Sequence, residues 1–135
     1  MAMSQAMQVL TSAKHVNWYT PSKYIEMARQ VMTSIDLDPA TCEVAQSWIK
    51  ATNYYSNTEW SYNGLTTPWY GNVWLNPPFD STALWINKLY IEIARGSIDQ
   101  AIVLVNSNHG YKWYETLWRK FPVCCVRERI EFLTD

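Results

Sequence analysis

Two consecutive prolines near the middle of the chain separate an apolar segment from an amphipathic one, and this junction constrains the fold most. Asn72–Leu75 is a short strand-like run, and the tetrapeptide Asn-Pro-Pro-Phe at 76–79 follows it directly. Proline has no backbone N–H and a fixed φ angle, so neither a strand nor a helix continues easily through two of them. Asp80 or Ser81 is placed to cap a following helix, and Gly96 is placed to end it. The junction therefore predicts a strand–turn–helix unit.

The rest of the chain repeats this alternation of helical and strand patterns. Thr20 is a good N-cap and Pro21 suits the first position of a helix. The apolar run Ala101–Val105 is typical of a strand that is buried on both faces. The other predicted elements are a strand at 34–38 that Pro39 ends, helices at 41–51 and 111–120, and an extended, β-rich segment at 123–133. Alternating helices and strands predict an α/β sandwich with a mostly parallel sheet.

Composition and charge exclude several classes of protein. The chain has 11 Lys and Arg against 12 Asp and Glu, which excludes a strongly basic nucleic-acid-binding protein and an acidic disordered tail. Its four glycines are too far apart for a Walker loop or a dinucleotide-binding turn. Three cysteines give neither a disulfide framework nor a zinc-ligand spacing, which fits a reducing cytosol. We expect no metal site, and no apolar run approaches the roughly 18 residues of a membrane span.

The length of the chain, 135 residues, fits one domain with one hydrophobic core. Residues 1–16 show no organised pattern and are predicted to form a loose tail, which leaves 17–135 as a single domain. The chain ends on Glu131-Phe132-Leu133, a pattern typical of the middle of a hairpin or the rim of a sheet. We therefore expect a small domain that is C-terminally truncated and lacks its last strands, or one in which those strands are supplied in another way.

Aromatic residues are unusually abundant, with eight Trp, nine Tyr and three Phe. One interpretation is a Trp-rich core and surface, because aromatic side chains commonly pack in the interior. The other is a site that stacks flat ligands. Composition alone leaves both open.

The Asn-Pro-Pro-Phe turn carries the strongest chemical signal. Asn76 offers a side-chain oxygen and Pro77 a backbone oxygen, and Pro78 stiffens the turn so that both can face a cleft. Two such acceptors hold both hydrogens of an exocyclic NH2 group, and they bind more strongly as its nitrogen becomes positive in a transition state. Phe79 adds a face on which a planar ring can stack. An ordinary turn is the competing interpretation, but the position between strand and helix favours the functional one.

Two aspartates mark the end of the first predicted strand. Ligands of open α/β sheets bind outside the carboxyl ends of the strands, where the strand order reverses. A carboxylate at Asp38 would accept hydrogen bonds there from ribose hydroxyls or from an amino-acid ammonium group. Asp36 lies two residues earlier and is expected to share its face. The competing interpretation of Asp38 is an ordinary turn residue.

The order and spacing of several short motifs resemble those of the phage-type DNA N6-adenine methyltransferases. The motifs are Trp18 with Thr20-Pro21, Asp36 to Ala40, Asn63-Gly64-Leu65, Trp69, Val73 to Phe79, Trp85 to Lys88, the run at 101–105, Lys112-Trp113-Tyr114 and Arg129 to Phe132. Two departures stand out. The Gly-rich loop of methyltransferases is replaced by Pro39-Ala40-Thr41, and Asn63 occupies a position where the family often has Asp.

The resemblance implies a Rossmann-like fold and methylation of the N6 amino group of adenine in DNA, with S-adenosylmethionine as the methyl donor. It also implies a phage or prophage protein in the cytoplasm of a bacterial host. Asn76, Pro77, Pro78 and Phe79 would be the catalytic residues, acting on a flipped adenine. The residues that it implies for cofactor binding are Trp18, Thr20, Pro21, Asp36, Asp38, Ala40 and Asn63.

Contacts with DNA and two alternative functions are left open by the sequence. Lys112, Arg127 and Arg129 give the C-terminal third a local basic bias, which indicates either phosphate contacts or an ordinary solvated face. The same two acceptors, at Asn76 and Pro77, would also hold another planar NH2 group, such as that of cytosine N4, RNA adenine or a glutamine amide. A non-catalytic nucleic-acid-binding module that uses its aromatic residues for stacking is the second alternative.

Overall fold

The structure, a computed structural model, describes residues 18–56 and 63–134. The tail predicted at 1–16 lies outside the described residues. The strands are β1 (Trp18–Tyr19), β2 (Leu37–Thr41), β3 (Asn53–Ser56), β4 (Gly71–Leu75), β5 (Ile98–Val103) and β6 (Leu133–Thr134), and the helices are α1 (Ser22–Met32), α2 (Glu43–Ile49), α3 (Thr82–Arg95) and α4 (Lys112–Lys120).

Four of these strands form one sheet in the order β3-β2-β4-β5, and every neighbouring pair is parallel. Leu37 in β2 pairs with Val73 in β4, and Val73 also pairs with Ala101 in β5. β1 and β6 form a separate antiparallel ribbon. The structure thus confirms an α/β fold with a mostly parallel sheet, while the finer Rossmann-like assignment stays a prediction.

β4 lies between two hydrophobic cores because its successive side chains point to opposite faces of the sheet. Trp74 packs in the core that α1 and α2 cover, whereas Val73 and Leu75 pack in the core that α3 covers. A strand buried on both faces needs apolar residues at consecutive positions, which explains the Val-Trp-Leu run. Burial of each large apolar side chain stabilises the fold by about 1.5–3 kcal/mol. The turn at 76–79 therefore leaves the sheet from a strand that is fixed on both faces.

The predicted strand–turn–helix unit is confirmed. α3 begins directly after Ser81, and Gly96 ends it in the left-handed conformation, with φ at 82°. No side chain caps α3, but the Thr82 hydroxyl donates to the carbonyl of Pro78 at 3.1 Å. This bond ties the first turn of the helix to the second proline of the turn.

The strand order reverses between β2 and β4. From β2 the chain passes through α2 to β3 on one side, and it then returns to β4 on the other side. At such a reversal the segments that leave neighbouring parallel strands diverge, which opens a crevice at the carboxyl ends of the strands. Asp38 lies in β2 and Asn76 directly follows β4, so the fold brings both to this crevice.

Pro39 does not end the first long strand, and this part of the prediction is wrong. β2 runs through Pro39 to Thr41. The pairing of β2 with β3 shifts register between Asp38 and Thr41. Proline, which cannot donate to the ladder, is tolerated in a sheet at such irregularities.

Two predictions for the C-terminal half also need correction. β5 is not buried on both faces: its residues Asp99, Gln100 and Ala101 are exposed, because β5 is an edge strand of the described sheet. The segment predicted as β-rich forms a strand only at Leu133–Thr134, where it pairs with β1. An apolar or alternating sequence pattern does not indicate whether a neighbouring strand is present to pair with the segment.

Candidate active site

A cleft of about 720 Å³ opens at the carboxyl ends of β2 and β4. Most of the residues that the sequence nominated for the site line this one cleft. They are Trp18, Thr20, Asp38, Ala40, Asn63, Asn76, Pro77, Pro78 and Phe79. They come from four separate parts of the chain, and the reversal of the strand order brings two of these parts, at Asp38 and at Asn76, to the same edge of the sheet.

Asn76 has one end of its amide engaged and the other end without a partner. Its Nδ2 donates to the hydroxyl Oγ1 of Thr20 at 2.8 Å. Its Oδ1 is buried and has no hydrogen-bond partner among the described residues. A buried acceptor without a partner costs about 1–3 kcal/mol, so native structures leave few of them. An unpaired acceptor on a cleft-lining residue is the arrangement expected of a group that awaits the N–H of a ligand.

Thr20 does not cap the first helix, contrary to the sequence prediction. Pro21 occupies the N-cap position of α1, and no side chain caps this helix. Thr20 is 3% exposed, and its backbone carbonyl accepts a hydrogen bond from Trp48 Nε1 at 3.1 Å. Its hydroxyl is thus directed to Asn76 rather than to the backbone of α1.

Phe79 and the two prolines complete this wall of the cleft. The carbonyl of Pro78 accepts hydrogen bonds from the start of α3. Pro77 is therefore the proline whose carbonyl would act with Asn76 Oδ1 as the second acceptor for an amine. The Phe79 ring is 46% exposed and packs edge-on against Phe132, with the ring centroids 5.7 Å apart. A half-exposed aromatic ring at a cleft is available for stacking with a planar ligand.

Asp38 is the buried carboxylate of the cleft, and it is only 1% exposed. Its Oδ1 accepts from the backbone N–H of Ala40 at 3.3 Å, and its Oδ2 accepts from Gln46 Nε2 at 2.9 Å. Burial raises the pKa of Asp38 to about 7, and these hydrogen bonds only partly oppose the effect of burial. Asp38 therefore changes charge near neutral pH.

A tight turn at 63–65 contributes Asn63 and Leu65 to the lining of the cleft. Asn63 Oδ1 accepts the backbone N–H of Leu65 at 2.9 Å, so the side-chain amide closes the turn and supplies the acceptor that an Asp would supply. At Gly64 a Cβ atom would lie 1.9 Å from the carbonyl oxygen of Pro39. Only glycine allows the turn to approach β2 so closely.

Comparison with protein families identifies the family of this chain. A family model described as DNA N-6-adenine-methyltransferase (Dam) matches residues 8–135. The chain belongs to this family. Searches of curated proteins and of solved structures each found no match.

In this Dam-family chain a network of buried charged side chains stabilises the turn at 63–65 through Trp69. The indole Nε1 of Trp69 donates to the carbonyl of Gly64 at 2.7 Å, and the Trp69 backbone N–H donates to Glu92 at 3.1 Å. Glu92, which is fully buried, also binds Lys88 and Arg95. Burial alone would raise the pKa of Glu92, but the hydrogen bonds from Lys88 and Trp69 and the two nearby cations hold it below its usual range.

Sequence reasoning missed this support and also missed Trp85. The Trp85 ring lines the cleft and stacks on Trp69, with centroids 6.3 Å apart and planes 23° from parallel. Both tryptophans belong to the motifs on which the family resemblance was based. That signal could have identified Trp85 as a wall of the cleft and Trp69 as the residue that packs against it.

Two residues nominated for cofactor binding, Asp36 and Pro21, are not in the cleft. Asp36 precedes β2 and accepts the backbone N–H of Asn72 at 2.8 Å, at the amino end of β4 and therefore at the opposite edge of the sheet from Asn76. It joins the two strands rather than facing a ligand. Pro21 starts α1 and is outside the lining.

The residues nominated for DNA contact also lie away from the cleft lining. Lys112, Arg127 and Arg129 are exposed, and their contact with DNA stays a prediction. Within 18–56 and 63–134, no group of three or more His, Cys, Asp or Glu side chains is placed to hold a metal ion. No helix in these ranges combines the length and the apolar character that crossing a membrane requires.

Proposed function

We propose that this protein transfers a methyl group from S-adenosylmethionine to the N6 amino group of adenine in DNA. The single observation that carries the proposal is that Asn76 lines the cleft while its Oδ1 atom is buried and has no partner among the described residues. An adenine amine supplies the missing donor. Among the planar amines that Asn76 and Pro77 could hold, membership of the Dam family favours adenine in DNA.

The size and the lining of the cleft support S-adenosylmethionine as its ligand. Its volume of about 720 Å³ lies within the range of about 300–1,000 Å³ for small-molecule sites. Asp38 would accept hydrogen bonds from the ribose hydroxyls or the ammonium group of this ligand, while Trp18, Ala40 and Asn63 would form the surrounding walls. When bound, the cofactor supplies an electrophilic methyl group on a positively charged sulfur.

Asn76 and Pro77 would hold the target amine. Asn76 Oδ1 and the carbonyl of Pro77 accept its two hydrogens, which directs the nitrogen lone pair out of the plane of these bonds and towards the methyl group. The amine nitrogen would become positive as its bond to the methyl carbon forms and the bond from that carbon to sulfur breaks, so both acceptors would bind the transition state more strongly than the ground state. The nitrogen would then lose one proton to solvent, which leaves the neutral methylated amine and neutral S-adenosylhomocysteine.

Phe79 would stack on the base after it leaves the duplex. Flipping a base costs a few kcal/mol, and stacking on an aromatic side chain returns about 1–3 kcal/mol. Lys112, Arg127 and Arg129 are the proposed phosphate contacts. Because the net charge of the chain is −1, binding to DNA should be weak and should fall steeply with added salt.

The test is to identify the acceptor and the cofactor directly. The protein is incubated with S-adenosylmethionine and separately with DNA, RNA and a protein mixture, and the digested products are analysed by mass spectrometry. N6-methyldeoxyadenosine from DNA is the expected product. Methylation of cytosine, RNA or protein alone would contradict the proposed acceptor.

Calorimetry with S-adenosylhomocysteine separates the enzyme from the non-catalytic alternative. An enzyme that uses this cofactor binds its demethylated product. A module that only stacks nucleic acid would bind oligonucleotides but would release no heat with S-adenosylhomocysteine, and that result would contradict the proposal.

A further inference from the structure

The hydrogen bond between Thr20 and Asn76 links two segments that are 56 residues apart in sequence. The Thr20 hydroxyl is the acceptor and Asn76 Nδ2 is the donor. An asparagine amide has one accepting end and one donating end. While Thr20 engages the donating end, the accepting Oδ1 is left buried and without a partner among the described residues.

Thr20 is itself held firmly in place. It is almost fully buried, and Trp48 Nε1 donates to its backbone carbonyl. The Trp48 ring packs edge-on against Tyr19, with centroids 5.6 Å apart. Tyr19 belongs to β1, which β6 pairs with. These contacts hold the backbone of Thr20 in place, so its side chain stays beside Asn76.

We infer that Thr20 is a positioning residue for Asn76: its hydroxyl anchors the amide so that Oδ1 faces the target amine. This inference rests on the proposed function and adds a role that the family resemblance did not imply, since the resemblance implies Thr20 as a cofactor contact. The two roles predict different kinetic effects. An anchor of Asn76 affects the methyl-transfer rate, whereas a cofactor contact affects the affinity for the cofactor.

The test compares T20V, which keeps the shape of the side chain without its hydroxyl, with T20S, which keeps the hydroxyl. In T20V the Nδ2 group loses its anchor, and the amide can turn its donating end to the cleft. We expect kcat at saturating S-adenosylmethionine to fall about tenfold, as the loss of one hydrogen bond predicts. The affinity for S-adenosylhomocysteine should change less than about twofold, and T20S should recover the lost kcat.

Three outcomes would overturn the inference. A rise in the dissociation constant of S-adenosylhomocysteine in T20V, with kcat unchanged, would make Thr20 a cofactor contact. An equal loss of kcat in T20S and T20V would assign the effect to side-chain shape rather than to the hydroxyl. No loss of kcat in T20V would show that Asn76 needs no anchor.

Thermal unfolding of each variant shows whether the cleft is still folded. If T20V does not fold, T20A removes the hydroxyl without introducing a branched apolar side chain, and the same kcat loss with unchanged cofactor affinity is expected. The failure of this inference is distinct from the failure of the proposed function. If wild-type protein methylates adenine and N76A does not, the proposed function stands whatever Thr20 does.

Discussion

Asp38 is predicted to make the stability of this protein fall as the pH rises from 5 to 8. Its pKa is raised from 3.8 to about 7 in the folded chain because it is buried. Between these two pKa values the native state binds more protons than the unfolded state, so the free energy of unfolding decreases with increasing pH. Above pH 7 the whole penalty of burying the charge is present, and below about pH 4 it is absent.

The size of the effect follows from the two pKa values. One pKa unit corresponds to about 1.4 kcal/mol. A shift from 3.8 to about 7 makes Asp38 lower the free energy of unfolding by about 2–3 kcal/mol between pH 5 and pH 8. D38N removes the charge, so its free energy of unfolding should lack this pH dependence even if the amide fits less well at Gln46.

Urea denaturation followed by tryptophan fluorescence at pH 5, 6, 7 and 8 measures this difference. D99N is the matched control, because Asp99 is an exposed aspartate on β5. The wild-type protein and D99N should lose stability together as the pH rises, while D38N should not. If D38N shows the same pH dependence as the wild-type protein, the buried carboxylate is not its source and the reasoning is refuted.

Three further predictions concern the walls of the cleft. The affinity for S-adenosylhomocysteine, measured by calorimetry, should increase about tenfold from pH 6 to pH 8 as Asp38 ionises, and a flat profile would exclude Asp38 as an acceptor for the ligand. E92Q leaves Lys88 buried without its counter-charge and should destabilise the fold by about 3–5 kcal/mol in urea denaturation. R95Q, at the solvent-exposed partner, should cost less than about 1 kcal/mol, and equal losses would contradict a buried network. G64A forces a Cβ atom to within 1.9 Å of Pro39 O, so it should lower the melting temperature and weaken S-adenosylhomocysteine binding; an unchanged protein would show that the turn can move away.

The turn at 76–79 could be predicted from sequence because its signals are local. Two prolines at 77–78 end the strand before them, and the helix after them ends at a glycine. The parallel sheet could be predicted because alternating helices and strands leave few other arrangements. The position of Asp38 followed from the general place of ligands at strand ends.

The contacts that complete the site could not be predicted, because they join residues that are distant in sequence. Thr20 has the local signature of a helix cap, and only the packing of β1 against the rest of the chain directs its hydroxyl to Asn76. Glu92 lies on α3, and the sequence pattern of this helix does not reveal the contact of the Glu92 carboxylate with Trp69, through which Glu92 supports the turn at 63–65. Pro39 has the signature of a strand end, yet a shift in strand pairing accommodates it.

In the proposed mechanism Asn76 Oδ1, which has no partner among the described residues, holds the amine that is methylated. The most direct measurement is the kcat of N76A for adenine methylation, with N87A as the control because Asn87 is exposed on α3. Removing one preorganised polar group from a transition state lowers kcat by about 100-fold or more. We expect that loss in N76A alone, with S-adenosylhomocysteine affinity unchanged in both variants. An N76A protein that methylates DNA as fast as N87A would contradict the account.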